Sequence, residues 1–141
     1  MKILITGSSG QLGKSLALTR PSEIGNTEVK VIKTTREEFN ISDKLSCEEN
    51  IKKYKPDWII NCGAYTAVDK AEYEKNIANE INGNAPYLLA KTLKEIGSKL
   101  IHISTDFVFD GCNNKAYKKD HPVNPVNAYG ESKAIGEKLL L

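Results

Sequence analysis

The sequence predicts an α/β fold, a doubly wound parallel sheet with helices on both faces. Three observations predict it. Short apolar runs, KILIT, EVKVIK, DWIINC and LIHIS, recur along the chain. Each is five or six residues long, the length of a strand. Longer amphipathic stretches separate them, so strand and helix signals alternate. The first run also leads directly into GSSGQLGKSL, where Gly7, Gly10 and Gly13 stand at equal spacing.

Each element follows from local signals. Lys2–Thr6 reads as a short buried strand. Residues 11–18 read as a helix, with Leu12 and Leu16 at helical spacing. Residues 28–33 alternate and form a second strand. Residues 42–54 form a helix that Ser42 can cap, with Leu45 and Ile51 facing one side, and Pro56 ends the segment. Residues 57–62 form a third strand with Gly63 beyond it. A long polar helix is expected over 68–81. Asn84-Ala85-Pro86 opens or kinks a further helix that runs through Ile96 and stops at Gly97. Residues 100–104 are the fourth strand. Residues 106–127 are irregular, with Gly111, Asn113, Asn114, Pro122 and Pro125 as turn residues. The last helix covers 128–141. This order is that of a Rossmann-type nucleotide-binding domain filling residues 1–141. A complete one has two βαβαβ halves, and the second half here looks unfinished. The fold is therefore expected to be truncated at its C-terminal end.

Composition narrows the function classes. The chain has 141 residues, 40% hydrophobic and 27% charged, with a formal net charge of +2. That balance suits a globular domain with a real core. No basic block or interleaved aromatic pattern points to nucleic acid. No apolar run approaches the roughly 20 residues of a membrane span, and none matches a signal peptide. The three cysteines, Cys47, Cys62 and Cys112, have no metal-ligand spacing. They read as reduced thiols of a cytoplasmic protein, and no metal is expected.

The glycines suggest a ligand that approaches the backbone. The spacing G-x-x-G-x-x-G departs by one residue from the dinucleotide fingerprint, but it sits between the first strand and its helix. There the helix N-terminus offers free N–H groups and a positive dipole end to a pyrophosphate. A side chain at Gly7 or Gly10 would block that approach, and Gly13 would let the helix pack close to the strand. The same spacing also suits a tight turn that binds nothing; the strand-turn-helix context favours the dinucleotide. An NAD-preferring site places an acid at the end of the second strand. Here the tip reads Lys33-Thr34-Thr35-Arg36, with Glu37 and Glu38 later. Lys33 or Arg36 can neutralise a 2′-phosphate, which favours NADPH or tolerance of NADH as well; taken singly, each charge also suits an ordinary solvated position.

Tyr129 and Lys133 stand four apart in NAYGESKAIGEK. On a helix they share a face, and a neighbouring ammonium favours a phenolate. That arrangement tunes a tyrosine for general acid–base work. Tyr87 and Lys91 share the spacing inside an amphipathic stretch and read as structural. Tyr129 differs because it follows a strand ending in Ser104-Thr105-Asp106 and a long loop.

Together these residues resemble the extended short-chain dehydrogenase/reductases. TTREEFNISD, NCGAYTAVDKAE, LIHISTDFVFDG and PVNPVNAYGESKAIGE narrow the resemblance to the dTDP-4-dehydrorhamnose reductase family, across essentially all 141 residues. The resemblance implies NAD(P)H-dependent reduction of a 4-keto sugar nucleotide. It implies pyrophosphate binding at Gly7, Gly10 and Gly13, with backbone N–H groups from Gln11 and Leu12. Arg36 would lie near the adenosine ribose, and Asn40 and Ile41 would flank the adenine. Cys62, Gly63, Ala64 and Thr66 would run beside the cofactor. Thr105 would hydrogen-bond the substrate carbonyl, Tyr129 would donate the proton, and Lys133 would hold the nicotinamide ribose and lower the tyrosine's pKa. Two positions depart from the family: Asn40 stands where Asp is usual, and Phe107 where Tyr is common. Asp69 and Lys70 are typical of the family without an assigned role. Sugar-nucleotide 4,6-dehydratases of the same fold need an acid pair after the threonine; Asp106 is followed here by Phe107. Two alternatives remain: a non-catalytic NADP-binding regulatory subunit, and another sugar-nucleotide-modifying member of the superfamily. Members run to about twice this length, so the resemblance implies an N-terminal part, inactive alone, of a protein expected to form a homodimer.

Overall fold

The computed structural model describes residues 1–141. Strand β1 (Lys2–Thr6) is followed by helix α1 (Gln11–Thr19), a hairpin of β2 (Glu23–Ile24) and β3 (Thr27–Glu28), and strand β4 (Lys30–Thr34). Helix α2 (Lys44–Tyr54) and strand β5 (Trp58–Asn61) come next. Helices α3 (Val68–Ala71) and α4 (Lys75–Asn79) lead through a π turn, Glu80–Asn84, into α5 (Ala85–Glu95). Strand β6 (Lys99–His102), a 3₁₀ turn over Asp106–Val108 and helix α6 (Ala128–Leu140) complete the chain. No helix is long and apolar enough to cross a membrane. The chain divides into two compact units, Met1–Ala64 with Ala85–Ile103, and Tyr65–Asn84 with Ser104–Leu141.

The first unit holds the sheet. Its four strands run parallel in the order β4-β1-β5-β6, with Thr6 opposite Thr34 on one side and Asn61 on the other. A parallel strand in mid-sheet is buried on both faces, and Leu4, Ile5 and Ile59 are accordingly almost fully buried. Leu4 and Ile59 pack with Cys47 and Ile51 of α2, Leu89 and Leu93 of α5, and Phe39 and Ile41. Each such side chain contributes about 1.5–3 kcal/mol by leaving water. Right-handed crossovers put α1 on the opposite face, because the chain turns one way from β1 and the other way from β4. That is the doubly wound arrangement read from the sequence.

Several details differ from the sequence reading. Asp43, not Ser42, caps α2: its carboxylate accepts the Leu45 N–H at 3.0 Å. Cys47 and Ile51 form the buried stripe of α2, while Leu45 is 66% exposed. Lys55 ends α2 in a left-handed conformation, φ 46°, with Pro56 behind it. The second strand starts two residues later than expected, and the β2–β3 hairpin around Gly25-Asn26 was not anticipated. Gly97 does stop α5: at φ +70° it lets the Ser98 N–H reach the Leu93 carbonyl at 3.1 Å.

In the second unit the helix expected over 68–81 is two short helices and the π turn. Glu72 and Glu74, at the break, direct their carboxylates to the Ala128 N–H and the Tyr65 hydroxyl. Pro86 has no N–H to return to the carbonyl four residues back, and the ladder widens into the π turn there. Ala71, Ala78 and Ala128 form a small core with Tyr65 and Tyr129 against it.

Candidate active site

In the first unit the chain leaves β1 toward β4 and later leaves β4 for β5 on the opposite side of β1. The carboxyl ends of β1 and β5 therefore flank the topological switch point, where open α/β sheets bind ligands. The glycine turn follows β1, and Cys62, Gly63 and Ala64 follow β5.

The three glycines do different jobs. Gly7 has φ +62°, and a Cβ on it would stand 2.7 Å from the Gly63 N. Gly13 is buried, and a Cβ there would stand 2.6 Å from the Gly7 carbonyl oxygen and 2.7 Å from Ser8 Cα. Both are required by the close approach of backbone to backbone. Gly10 is exposed and extended, φ −74°, and its Cβ would meet only the Gly7 carbonyl at 3.3 Å. It precedes α1 without a side-chain cap, and Gln11 and Leu12 are exposed, so their first-turn N–H groups have no acceptor within the helix. The Ser8 N–H donates to the Thr34 carbonyl at 3.0 Å and fixes the turn over the end of β4.

Asn61, 1% exposed, organises the strand ends. Its Oδ1 accepts the Thr6 hydroxyl at 2.7 Å and the Gly63 N–H at 3.1 Å, and its amide nitrogen lies 3.1 Å from His102 Nδ1. Cys62 is half-buried, and burial pushes its thiol up. Arg36 and Lys33 are exposed at the end of β4. Ile41 is a core side chain, 7% exposed, and lies beneath Gly63. Asn40 accepts the Ser42 N–H and gives its own N–H to Ser46 Oγ.

In the second unit α6 carries Tyr129 and Lys133. Asn127 caps it, accepting the Gly130 N–H at 2.7 Å. Gly130 packs on the Phe107 carbonyl, and a Cβ added to it would stand 3.0 Å from the Phe107 carbonyl carbon and from Pro125 Cβ, leaving no room for a side chain. The Phe107 ring meets the Tyr129 ring edge to face at 5.6 Å. Thr105 caps the 3₁₀ turn; its hydroxyl donates to Asp106 and accepts from the Phe107 N–H, both at 3.3 Å. Lys133 is 2% exposed. Burial pushes its ammonium down to about 8, while the Glu137 carboxylate pulls the other way. Thr66 is exposed beside Tyr65.

Sequence reasoning missed Asn61 and Asn82. Asn82, 1% exposed, accepts the Tyr65 N–H at 2.9 Å, donates to the Tyr65 carbonyl at 3.0 Å, and donates to Ser132 Oγ at 2.9 Å. Ser132 in turn donates to the Tyr129 carbonyl at 2.7 Å. An asparagine in the apolar tail of a strand, and another beside Gly83 in a helical stretch, were the available signals.

The whole chain, residues 1–141, matches the family model described as RmlD substrate binding domain. The chain belongs to this family. Among relatives of this RmlD-type chain, the spore coat polysaccharide biosynthesis protein SpsK of Bacillus subtilis is 38% identical over 99% of the chain and 48% of its own length. A dTDP-4-dehydrorhamnose reductase of Aggregatibacter actinomycetemcomitans is 40% identical over 99% of the chain and 47% of its length. The crystal structure of dTDP-4-dehydrorhamnose reductase from Bacillus anthracis in complex with NADP superimposes with a TM-score of 0.92 at 34% identity. That match covers 99% of this chain and 48% of that one. The chain spans about half the length of the curated relatives it matches.

Proposed function

We propose that this chain holds the cofactor-binding and proton-donating residues of an NADPH-dependent reductase that converts dTDP-4-dehydro-L-rhamnose to dTDP-L-rhamnose. The observation that carries the reading is α6, where Tyr129 and a buried Lys133 stand one turn apart in a family whose relatives include named dTDP-4-dehydrorhamnose reductases. The first unit supports the cofactor. Gly7 and Gly13 admit no Cβ, and Gly10 leaves an uncapped helix end open, so a pyrophosphate fits there. Gln11 and Leu12 would donate N–H groups to it. Arg36, with Lys33, would meet the 2′-phosphate of the adenosine ribose. Asn40 and the backbone of Ile41 would lie by the adenine, and Cys62, Gly63, Ala64 and Thr66 along the cofactor.

NADPH, when bound, supplies the hydride; the chain supplies the rest. Tyr129 donates its phenolic proton to the oxygen of the carbonyl being reduced. Lys133, as an ammonium, stabilises the phenolate left behind and hydrogen-bonds the nicotinamide ribose. The Thr105 hydroxyl, held by two long hydrogen bonds, turns to the same carbonyl oxygen and polarises it. Three free cysteines suit the reducing cytoplasm where such a reductase would work.

The test is NADPH oxidation with dTDP-4-dehydro-L-rhamnose, using this chain joined to the C-terminal half of an active relative. Oxidation is expected, and Tyr129→Phe should slow it by about 100-fold or more. A folded chimera that binds NADPH but reduces none of the keto sugar refutes the reading.

A further inference from the structure

Ser104 is the last residue before Thr105, and its hydroxyl donates to Glu137 Oε1 on α6. Glu137 stands four residues after Lys133, one turn along the same helix face. We propose that Glu137 is a positioning residue for the Tyr129–Lys133 pair: one carboxylate oxygen pins the Ser104–Thr105 backbone to α6, and the same carboxylate sets a negative charge one helical turn from Lys133. That this serves turnover rests on the reductase reading; the placement of the groups does not.

Lys133 is 2% exposed, so its ammonium has lost most of its water, and a nearby negative charge matters more there than it would at the surface. Glu137 is half-buried and belongs to neither of the surface ion pairs Lys30–Glu28 and Lys44–Glu48. The elements packed against α6 bring other charges. The α3 segment carries Asp69 and Lys70, α4 carries Lys75, the π turn carries Glu80 and the 3₁₀ turn carries Asp106. Glu72 is committed to the Ala128 N–H. The Glu137 carboxylate, one helical turn away, acts on Lys133 in favour of the ammonium, against the larger effect of burial. One carboxylate therefore serves both the loop that carries Thr105 and the cation that Tyr129 needs. An uncharged hydrogen-bonding residue at 137 would do only the first.

The test is an NMR titration of the Lys133 Cε signal in the 141-residue chain labelled with ¹³C-lysine, with the Thr105 amide signal followed in the same samples. Wild type should titrate near 8. Glu137→Gln should lower that midpoint by roughly 0.5 pH unit, the effect of losing one partly screened charge a helical turn away. Glu137→Asp should keep the midpoint near wild type but shift the Thr105 amide, because the shorter arm retains the charge and loses Ser104. Ser104→Ala should shift the same amide with the fold intact. A Lys133 midpoint unchanged in Glu137→Gln overturns the charge role. A Thr105 amide unmoved in Ser104→Ala overturns the pin. Should Glu137→Gln fail to fold, Glu137→Asp and Ser104→Ala still decide: a Lys133 midpoint that falls in Glu137→Asp, or an unmoved Thr105 amide, overturns the proposal. NADPH binding, measured in parallel, judges the reductase reading separately, since the Lys133 titration needs no cofactor.

Discussion

Replacing Gly10 and Gly13 by alanine, one at a time, separates the fold's need for glycine from the ligand's. Gly10 lies in an extended conformation that any residue adopts, and its new Cβ would press only on the Gly7 carbonyl at 3.3 Å. Alanine is a poorer N-cap than glycine by about 0.5–1 kcal/mol. The loss of unfolded-state freedom returns about 0.4–1 kcal/mol. Gly10→Ala should therefore alter stability by less than about 1 kcal/mol, or a few degrees in Tm. Gly13→Ala gains about 1 kcal/mol in helix propensity. Against that, its Cβ would sit 2.6 Å and 2.7 Å from backbone atoms of Gly7 and Ser8. Backbone cannot rotate away as a side chain can, and overpacking of this kind costs about 1–3 kcal/mol or more. Contacts this short to backbone fall at the upper end of that range, so a net loss of about 2 kcal/mol is expected. Binding reverses the order of interest. Gly10 immediately precedes the uncapped end of α1, and each charge-assisted N–H bond to phosphate that a methyl there disrupts costs about 1.5–3 kcal/mol. Thermal melts followed by circular dichroism read the first effect, and calorimetric titration with NADPH reads the second. The folded Gly10→Ala chain should bind NADPH at least about tenfold more weakly. Wild-type affinity in Gly10→Ala, or wild-type stability in Gly13→Ala, would refute the reasoning.

Three further outcomes follow from the second unit and the thiols. Lys133→Met should keep or raise stability at pH 7, by about 3 kcal/mol at most, while NADPH oxidation by the chimera is lost. In wild type the lysine is lowered from 10.5 to about 8, so the unfolded chain binds the extra proton between those values. The lysine's contribution to stability should therefore rise as pH climbs from about 8 to 10.5, and denaturant melts of wild type and Lys133→Met across that window check the sign. Asn82→Ala strands the partly buried Tyr65 N–H and carbonyl and should cost about 1–3 kcal/mol in a urea melt. Thiol labelling of the native chain should modify the exposed Cys112 first and spare Cys47, whose thiol burial pushes up to about 12.

Much of the sheet was legible because its strands are short apolar runs bounded by turn residues, and that pattern survives without knowledge of partners. Elements that depend on a distant group were not. The expected helix over 68–81 has no internal glycine or proline to break it; it breaks where Glu72 and Glu74 turn to the Ala128 N–H and the Tyr65 hydroxyl. The cap of α2 moved by one residue because Ser42 and Asp43 are both good caps, and only geometry decides between them. The β2–β3 hairpin did carry a signal, the Gly25-Asn26 pair, with Gly25 at φ +60°. At the site, glycine spacing pointed to the turn but not to the division of labour within it. Gly7 and Gly13 answer to backbone contacts with Gly63 and Ser8 that no spacing rule contains. The buried asparagines escaped for the same reason: Asn61 and Asn82 matter through hydrogen bonds spanning 55, 41, 17 and 50 residues.

The central claim is that the glycine turn is a pyrophosphate site with a basic reader of the 2′-phosphate beside it. Calorimetric titration of the 141-residue chain, with NADPH and then with NADH, tests it most directly. The account predicts saturable binding of one NADPH per chain, tighter than NADH, with the preference lost in Lys33→Ala/Arg36→Ala. Absence of NADPH binding by the folded chain, or tighter binding of NADH, would contradict it.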